Sequence, residues 1–231
     1  MTEKIKKIGL FGGTFDPIHI GHLFLAEAAY DKFGLDRVLF MPNPRPYHRE
    51  KDNISPLSDR INMTKLAIED NDHFEFSDFE IDLKGETYTS RTLEAFHEKY
   101  PDAELYFILG GDSLFSIEYW KDPEKIFAFA VILSGKRQGQ QRGATGILHP
   151  DHEGGLDRAR REAENTNDVL DDKIRDLKDR FNAEIYNLYV PNIEISSSDI
   201  KARIRDGMSI KYCTPDKVAG YIYEKGLYKK A

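Results

Sequence analysis

The chain predicts an α/β fold, a doubly wound, Rossmann-like parallel sheet with helices on both faces. Three observations lead there. Apolar runs of strand length alternate with stretches of helical periodicity along the sequence. Two of those runs end in paired glycines, Gly12-Gly13 and Gly110-Gly111, where the backbone can turn sharply. The 231 residues are 40% hydrophobic and include 14 Phe and 12 Tyr, enough for a real core. One domain over 1–231 is expected, with a polar loop or lid at about 139–168 and a C-terminal helical segment from about 197.

A formal charge of −7 and a pI of about 5.6 argue against a nucleic-acid surface. The single cysteine, Cys213, excludes an internal disulfide and suits a reducing cytosol. M-T-E-K-I-K-K has no apolar signal region, and no run approaches the ~18 apolar residues of a membrane span. The expectation is a cytoplasmic protein with no nucleic-acid or membrane partner.

The first strand is K-I-K-K-I-G-L-F, and H-L-F-L-A-E-A-A-Y-D-K-F after it reads as a helix. Between them lies G-G-T-F-D-P-I-H-I-G-H. His19 and His22 are three apart around the helix start, so both rings can point the same way. The free N–H groups and positive end of that helix favour phosphate. Two imidazoles, the turn at Gly12 and Gly13 and a helix N-terminus make a polyphosphate cradle.

Gly34 fits a C-cap, and R-V-L-F-M-P a second buried strand. N-P-R-P-Y-H-R-E-K is a Pro-punctuated basic loop containing His48 and Arg49. Ser55 is read as the N-cap and Pro56 as the first-turn proline of a helix with Leu57, Ile61, Leu66 and Ile68 on its apolar side. H-F-E-F-S-D-F-E-I-D is read as a strand with a slip near Ser77. A turn at Lys84-Gly85-Glu86 leads to a helix carrying Leu93, Phe96 and Tyr100, stopped by Pro101. Tyr88, Thr89 and Thr92 at its start read equally as ordinary helix caps.

E-L-Y-F-I-L-G-G-D-S-L is an apolar strand that delivers Asp112 to its carboxyl end, where open parallel sheets bind ligands. Such an Asp suits the two hydroxyls of a ribose. Trp120, the only tryptophan, is either core or a ring-stacking face. Asp122-Pro123 starts a short helix, and A-F-A-V-I-L-S is a further buried strand. From Gly139 to Asp168 the chain is polar, either a solvated loop or a mobile lid. His149 and His152 have no third metal ligand close in sequence. Leu170, Ile174, Leu177 and Phe181 make an amphipathic helix, and E-I-Y-N-L-Y-V the last strand. Ser196, Ser197 and Ser198 stand at the start of another helix, offering hydroxyls and N–H groups to a phosphate. A Pro-started, Gly-ended helix closes the sequence.

G-G-T-F-D-P-I-H-I-G-H resembles the signature of the H-x-G-H nucleotidyltransferases, and from Lys7 to about Tyr228 the chain resembles the bacterial nicotinate-nucleotide adenylyltransferases. The resemblance implies adenylyl transfer from ATP to nicotinate mononucleotide, with Mg²⁺ carried mainly on the ATP phosphates, and leaves room for a homo-oligomer. It implies catalytic roles for His19, His22, Arg49 and Lys201. It puts Gly12, Gly13, Thr14, Phe15, Gly110, Asp112, Ser196, Ser197 and Ser198 around ATP. It puts Asp16, His48, Tyr88, Thr89, Thr92, Trp120 and Arg137 around the nicotinate nucleotide. Five positions depart from the family pattern: Tyr47 stands for a proline, Arg49 for a lysine, Gln138 for a proline, Ser198 for a threonine and Lys201 for an arginine, the last losing a planar fork. The competing readings are another phosphorylated acceptor, the amide nucleotide among them, or a nucleotide sensor without turnover.

Overall fold

Alternation along the strands decides the layers. In β1 (Lys7–Gly13), Ile8 and Leu10 enter one apolar cluster and Phe11 the other, because successive side chains of a strand point to opposite faces. In β4 (Glu104–Gly110), Leu105, Phe107 and Leu109 join the first cluster while Tyr106 and Ile108 join the second. Strands buried on both faces read as continuous apolar runs, which is why no alternation shows in the sequence.

The computed structural model describes residues 7–45, 54–83, 87–137, 169–191, 193 and 195–229. Besides β1 and β4, the sheet contains β2 (Arg37–Pro42), β3 (Phe74–Phe76), β5 (Val131–Arg137) and β6 (Ile185–Val190). The spatial order is β3-β2-β1-β4-β5-β6, and each pairing is parallel. This is the doubly wound order, with its reversal between β1 and β4. The helices are α1 (Ile20–Phe33), α2 (Leu57–Ile68), α3 (Phe79–Asp82), α4 (Thr89–Lys99), α5 (Gly111–Leu114), α6 (Pro123–Phe129), α7 (169–181), α8 (Ser197–Arg205) and α9 (Asp216–Lys225). Apolar residues of α1, α2, α8 and α9 share one cluster, and those of α4, α6 and α7 the other. The α/β class expected from the sequence is the one observed.

Two local expectations are corrected. The strand expected through Asp82 stops at Phe76, and Phe79–Asp82 is a helical turn. β3 is an edge strand with β2 as its single neighbour, so after the Ser77 amide reaches the Phe40 carbonyl at 2.9 Å no ladder holds the chain extended. The Ser77 hydroxyl then accepts from the Phe79 amide at 3.3 Å, and the chain coils. At α2 the N-cap is Pro56 and not Ser55. Ser55 faces elsewhere, with its N–H on Asp16 and its carbonyl accepting from Arg60. The polar stretch 139–168, including His149 and His152, lies outside the described residues.

Candidate active site

Gly13 and Gly110 end neighbouring strands on either side of the reversal, and a cavity of about 430 Å³ opens there. The starts of α1, α4 and α8 line it through Gly21 and His22, Thr89, and Ser196. Three helix N-termini bring partial positive charge to one space, a setting for phosphate and carboxylate oxygens.

His19 is the N-cap of α1, and its ring stacks on that of His22 with centroids 3.6 Å apart. The His19 amide donates to Nδ1 of His22 at 3.2 Å. A neutral His22 therefore carries its hydrogen on Nε2. The His22 ring packs edge-on against Phe15 at 5.2 Å and Phe11 at 6.0 Å. A Cβ on Gly21, between the two histidines, would come within 3.1 Å of the His19 ring, so glycine keeps that ring in place. At the opposite wall a Cβ on Gly111 would meet the Gly135 carbonyl oxygen at 2.5 Å, which only glycine avoids. Phe15 has a left-handed backbone, φ 48°, unusual for a bulky residue and of the kind that gathers at binding sites.

Of the residues expected at the site, Gly12, Gly13, Thr14, Phe15, His19, His22, Thr89, Gly110, Asp112, Trp120 and Ser196 line this cavity. Others face away from it. The Asp16 carboxylate is buried and accepts from the Lys201 ammonium, from the Tyr228 hydroxyl at 2.6 Å and from the Ser55 amide at 3.3 Å. Burial opposes its ionisation, but the hydrogen bonds from Lys201, Tyr228 and Ser55 and the lysine's charge outweigh that and hold its pKa below the ordinary carboxylate value. Lys201 also lies over the Tyr228 ring, 4.9 Å from its centroid. Asp16 and Lys201 thus meet each other.

The serines at α8 are engaged as well. Ser196 and Asp199 form a reciprocal capping box, with the Asp199 amide on the serine oxygen at 3.1 Å and the Ser196 amide on the carboxylate at 3.1 Å. The Ser197 hydroxyl donates to the Pro17 carbonyl at 2.9 Å. Ser198 is exposed. Tyr88 is the N-cap of α4, and the buried Thr92 hydroxyl donates to Oε1 of Glu80 at 2.9 Å. Trp120 packs edge-on against Phe107, its Nε1 donating to Ser116 at 3.3 Å. His48, Arg49 and the side chain of Arg137 lie outside the described residues.

Three residues at or behind the cavity have no counterpart in the sequence reading. Asn43 lines it, its amide donating to the Gly13 carbonyl at 2.8 Å. Arg60 is buried in α2 and donates to the carbonyls of Thr14 at 2.9 Å, Asn43 at 2.8 Å and Ser55 at 3.2 Å, tying three loops together. Glu80 lines the cavity from α3, 7% exposed, and burial pushes its pKa up to about 7 against the Thr92 hydroxyl, which favours the ionised form. A charged residue inside an amphipathic helix was the available signal for Arg60; Glu80 was hidden by the strand reading. Among the described residues no three His, Cys, Asp or Glu side chains gather as a metal cage.

The cytidylyltransferase-like family model matches residues 10–203. A Lachnoclostridium phytofermentans protein named probable nicotinate-nucleotide adenylyltransferase is 37% identical over 224 residues, 97% of this chain and 100% of that protein. A Clostridium tetani protein of the same name is 34% identical over 225 residues, 97% of this chain and all of that protein. In overall fold the chain is similar to Plasmodium falciparum nicotinic acid mononucleotide adenylyltransferase complexed with NaAD. That likeness has a TM-score of 0.68 and 19% identity, and covers 96% of this chain and 97% of the other.

Proposed function

We infer that this chain, which belongs to the nicotinate-nucleotide adenylyltransferases of the cytidylyltransferase-like family, transfers the adenylyl group of ATP to nicotinate mononucleotide. The products are nicotinate adenine dinucleotide and pyrophosphate, a step of NAD biosynthesis. The single observation that carries the reading to this site is the stacked His19–His22 pair where three helix starts converge at the sheet's reversal.

The nucleophile is a 5′-phosphate oxygen, which attacks the α-phosphorus of ATP as the bond to the β-phosphate bridge oxygen breaks. A phosphate monoester has its second pKa near ~6, so the attacking group is already ionised at neutral pH and needs no general base. The protein's part is to hold the two nucleotides in line and to stabilise charge on the moving phosphoryl group. His22 Nε2–H donates to that charge, and the positive ends of α1 and α8 favour it. Asp112 accepts from the ATP ribose, and Trp120 offers its face to the pyridine ring. Arg49 adds a guanidinium to the phosphates. Mg²⁺, when bound, neutralises phosphate charge and is carried by phosphate oxygens and water, which asks no cage of the protein.

Asp16 and Lys201 fit a different part from the one the resemblance implies: their ion pair anchors the loop that presents His19. Reduced Cys213 and the small-molecule substrates suit the cytoplasm, and among the described residues no helix is long and apolar enough to cross a membrane. The test is pyrophosphate release from ATP with nicotinate mononucleotide, with the dinucleotide identified by mass. Release without the dinucleotide, or none, rejects the reading.

A further inference from the structure

We propose that Glu80 is a specificity-determining residue for the pyridine nucleotide, donating a hydrogen bond to the ring carboxylate when neutral and accepting one from a carboxamide when ionised. The proposal rests on the activity inferred above and goes beyond it to how acid and amide are told apart.

Glu80 shares the cavity with Thr89 and Trp120, the residues assigned to the pyridine end. Its Oε1 accepts from Thr92, so the ligand's partner on this carboxyl would be Oε2. A neutral carboxyl presents one O–H donor there; an ionised one only accepts. The two ring substituents differ in the same sense, since a carboxylate only accepts and a carboxamide also donates. An ionised Glu80 therefore disfavours the acid and accepts from the amide, while a neutral one can donate to either, so proton occupancy sets the acid-to-amide ratio.

The charged surroundings leave that occupancy open near neutrality. On α3 the neighbour is Asp82, with Asp78 at its N-cap. On β2 there is Arg37, bonded to Glu75 at 2.5 Å. On α4 there are Arg91, Glu94, His97, Glu98 and Lys99, with Glu94 paired to Lys125 and the Lys99 ammonium 5.3 Å from the Phe79 ring centroid. Across the cavity stand His19, His22 and Asp112. Burial, opposed by the Thr92 hydroxyl, dominates, and the carboxyl titrates at about 7.

The experiment measures kcat/KM for nicotinate and nicotinamide mononucleotide at saturating ATP from about pH 6 to about pH 8.5. The ratio of the two is the readout. Groups that act on both nucleotides alike, the 5′-phosphate and the two histidines among them, cancel in it. In the native protein the acid-to-amide ratio falls about five- to tenfold from pH 7 to pH 8. Glu80→Gln keeps a permanent N–H donor, so its ratio stays high and level with pH. Thr92→Val removes the hydroxyl that favours ionisation and moves the native inflection to higher pH, which carries the test should Glu80→Gln fail to fold. A level native ratio, the same slope in Glu80→Gln, or an unmoved inflection in Thr92→Val overturns the role of Glu80 while leaving adenylyl transfer intact. No turnover of either nucleotide by the native protein overturns both.

Discussion

On the proposed mechanism the two histidines act on the phosphates, so their loss is read in rate. His19→Ala and His22→Ala each lower kcat by about a hundred- to a thousandfold, the range for removing one donor to developing charge in a dry site. Steady-state kinetics beside a thermal melt checks this, and near-native turnover in either folded variant rejects the role. Glu80 makes the opposite prediction, for stability. Its folded pKa, about 7, is above the ordinary 4.5, so folding favours the protonated form and the native state loses stability as pH rises through 4.5 to 7. Glu80→Gln should therefore be more stable than the native protein at pH 8, by up to about 3 kcal/mol. Denaturant titrations should show the gain vanish below about pH 4.5. A gain of equal size at both ends of the range would assign it to packing.

At the scale of elements, α4 is the test of anion recognition by a helix start. Thr89 is its first residue, where proline is tolerated, and Tyr88 before it is extended at φ −80° and ψ 140°, as a residue preceding proline must be. Thr89→Pro thus deletes one N–H without breaking the helix. It should raise KM for the acid nucleotide more than for the amide and leave KM for ATP alone. Trp120→Ala, which removes a ring face indifferent to the substituent, should weaken both nucleotides to a similar degree. Equal losses for acid and amide in Thr89→Pro would move carboxylate recognition away from this helix. Element boundaries were the least legible feature of the chain. The letters F-E-F-S-D-F-E-I-D alternate as a strand should, and only the lack of a second neighbour for β3 turned them into α3. As a strand, Glu80 would face away from Phe79 and Ile81; in a helical turn it reaches the cavity.

Across the whole molecule, Asp16 joins segments far apart in sequence: the histidine loop, the approach to α2 through Ser55, α8 through Lys201, and the chain after α9 through Tyr228. Thr214 adds a hydroxyl to the Ile18 carbonyl at 2.7 Å, and the Cys213 carbonyl accepts from the Ile20 amide at 3.2 Å. Asp16→Asn should destabilise the fold at pH 7 by about 3–5 kcal/mol, the range for breaking one side of a buried ion pair. The native carboxylate titrates below 3.8, so its stabilisation is whole above that value and is lost as pH falls through the lowered folded pKa. Urea midpoints of both proteins from neutral to acidic pH should converge at the acid end, and a constant gap would deny the linkage.

The sequence by itself determined the layers and pointed to the glycine turn and the histidine pair. Strand-length apolar runs, paired glycines at strand ends and two histidines around a helix start are local patterns, and local sterics decide what they become. It also made His19, His22, Asp112 and Trp120 legible as candidates, because each stands beside a strand end or helix start that the letters announce. Only the tertiary structure decided what meets what. Lys201 is a cation at a helix start until Asp16, 185 positions away, takes its ammonium. Arg60 is a polar letter in an amphipathic helix until three loop carbonyls surround it. Glu80 is an acid like any other until burial raises its pKa. Desolvation and long-range pairing belong to the packed molecule, and no window of neighbouring residues contains them.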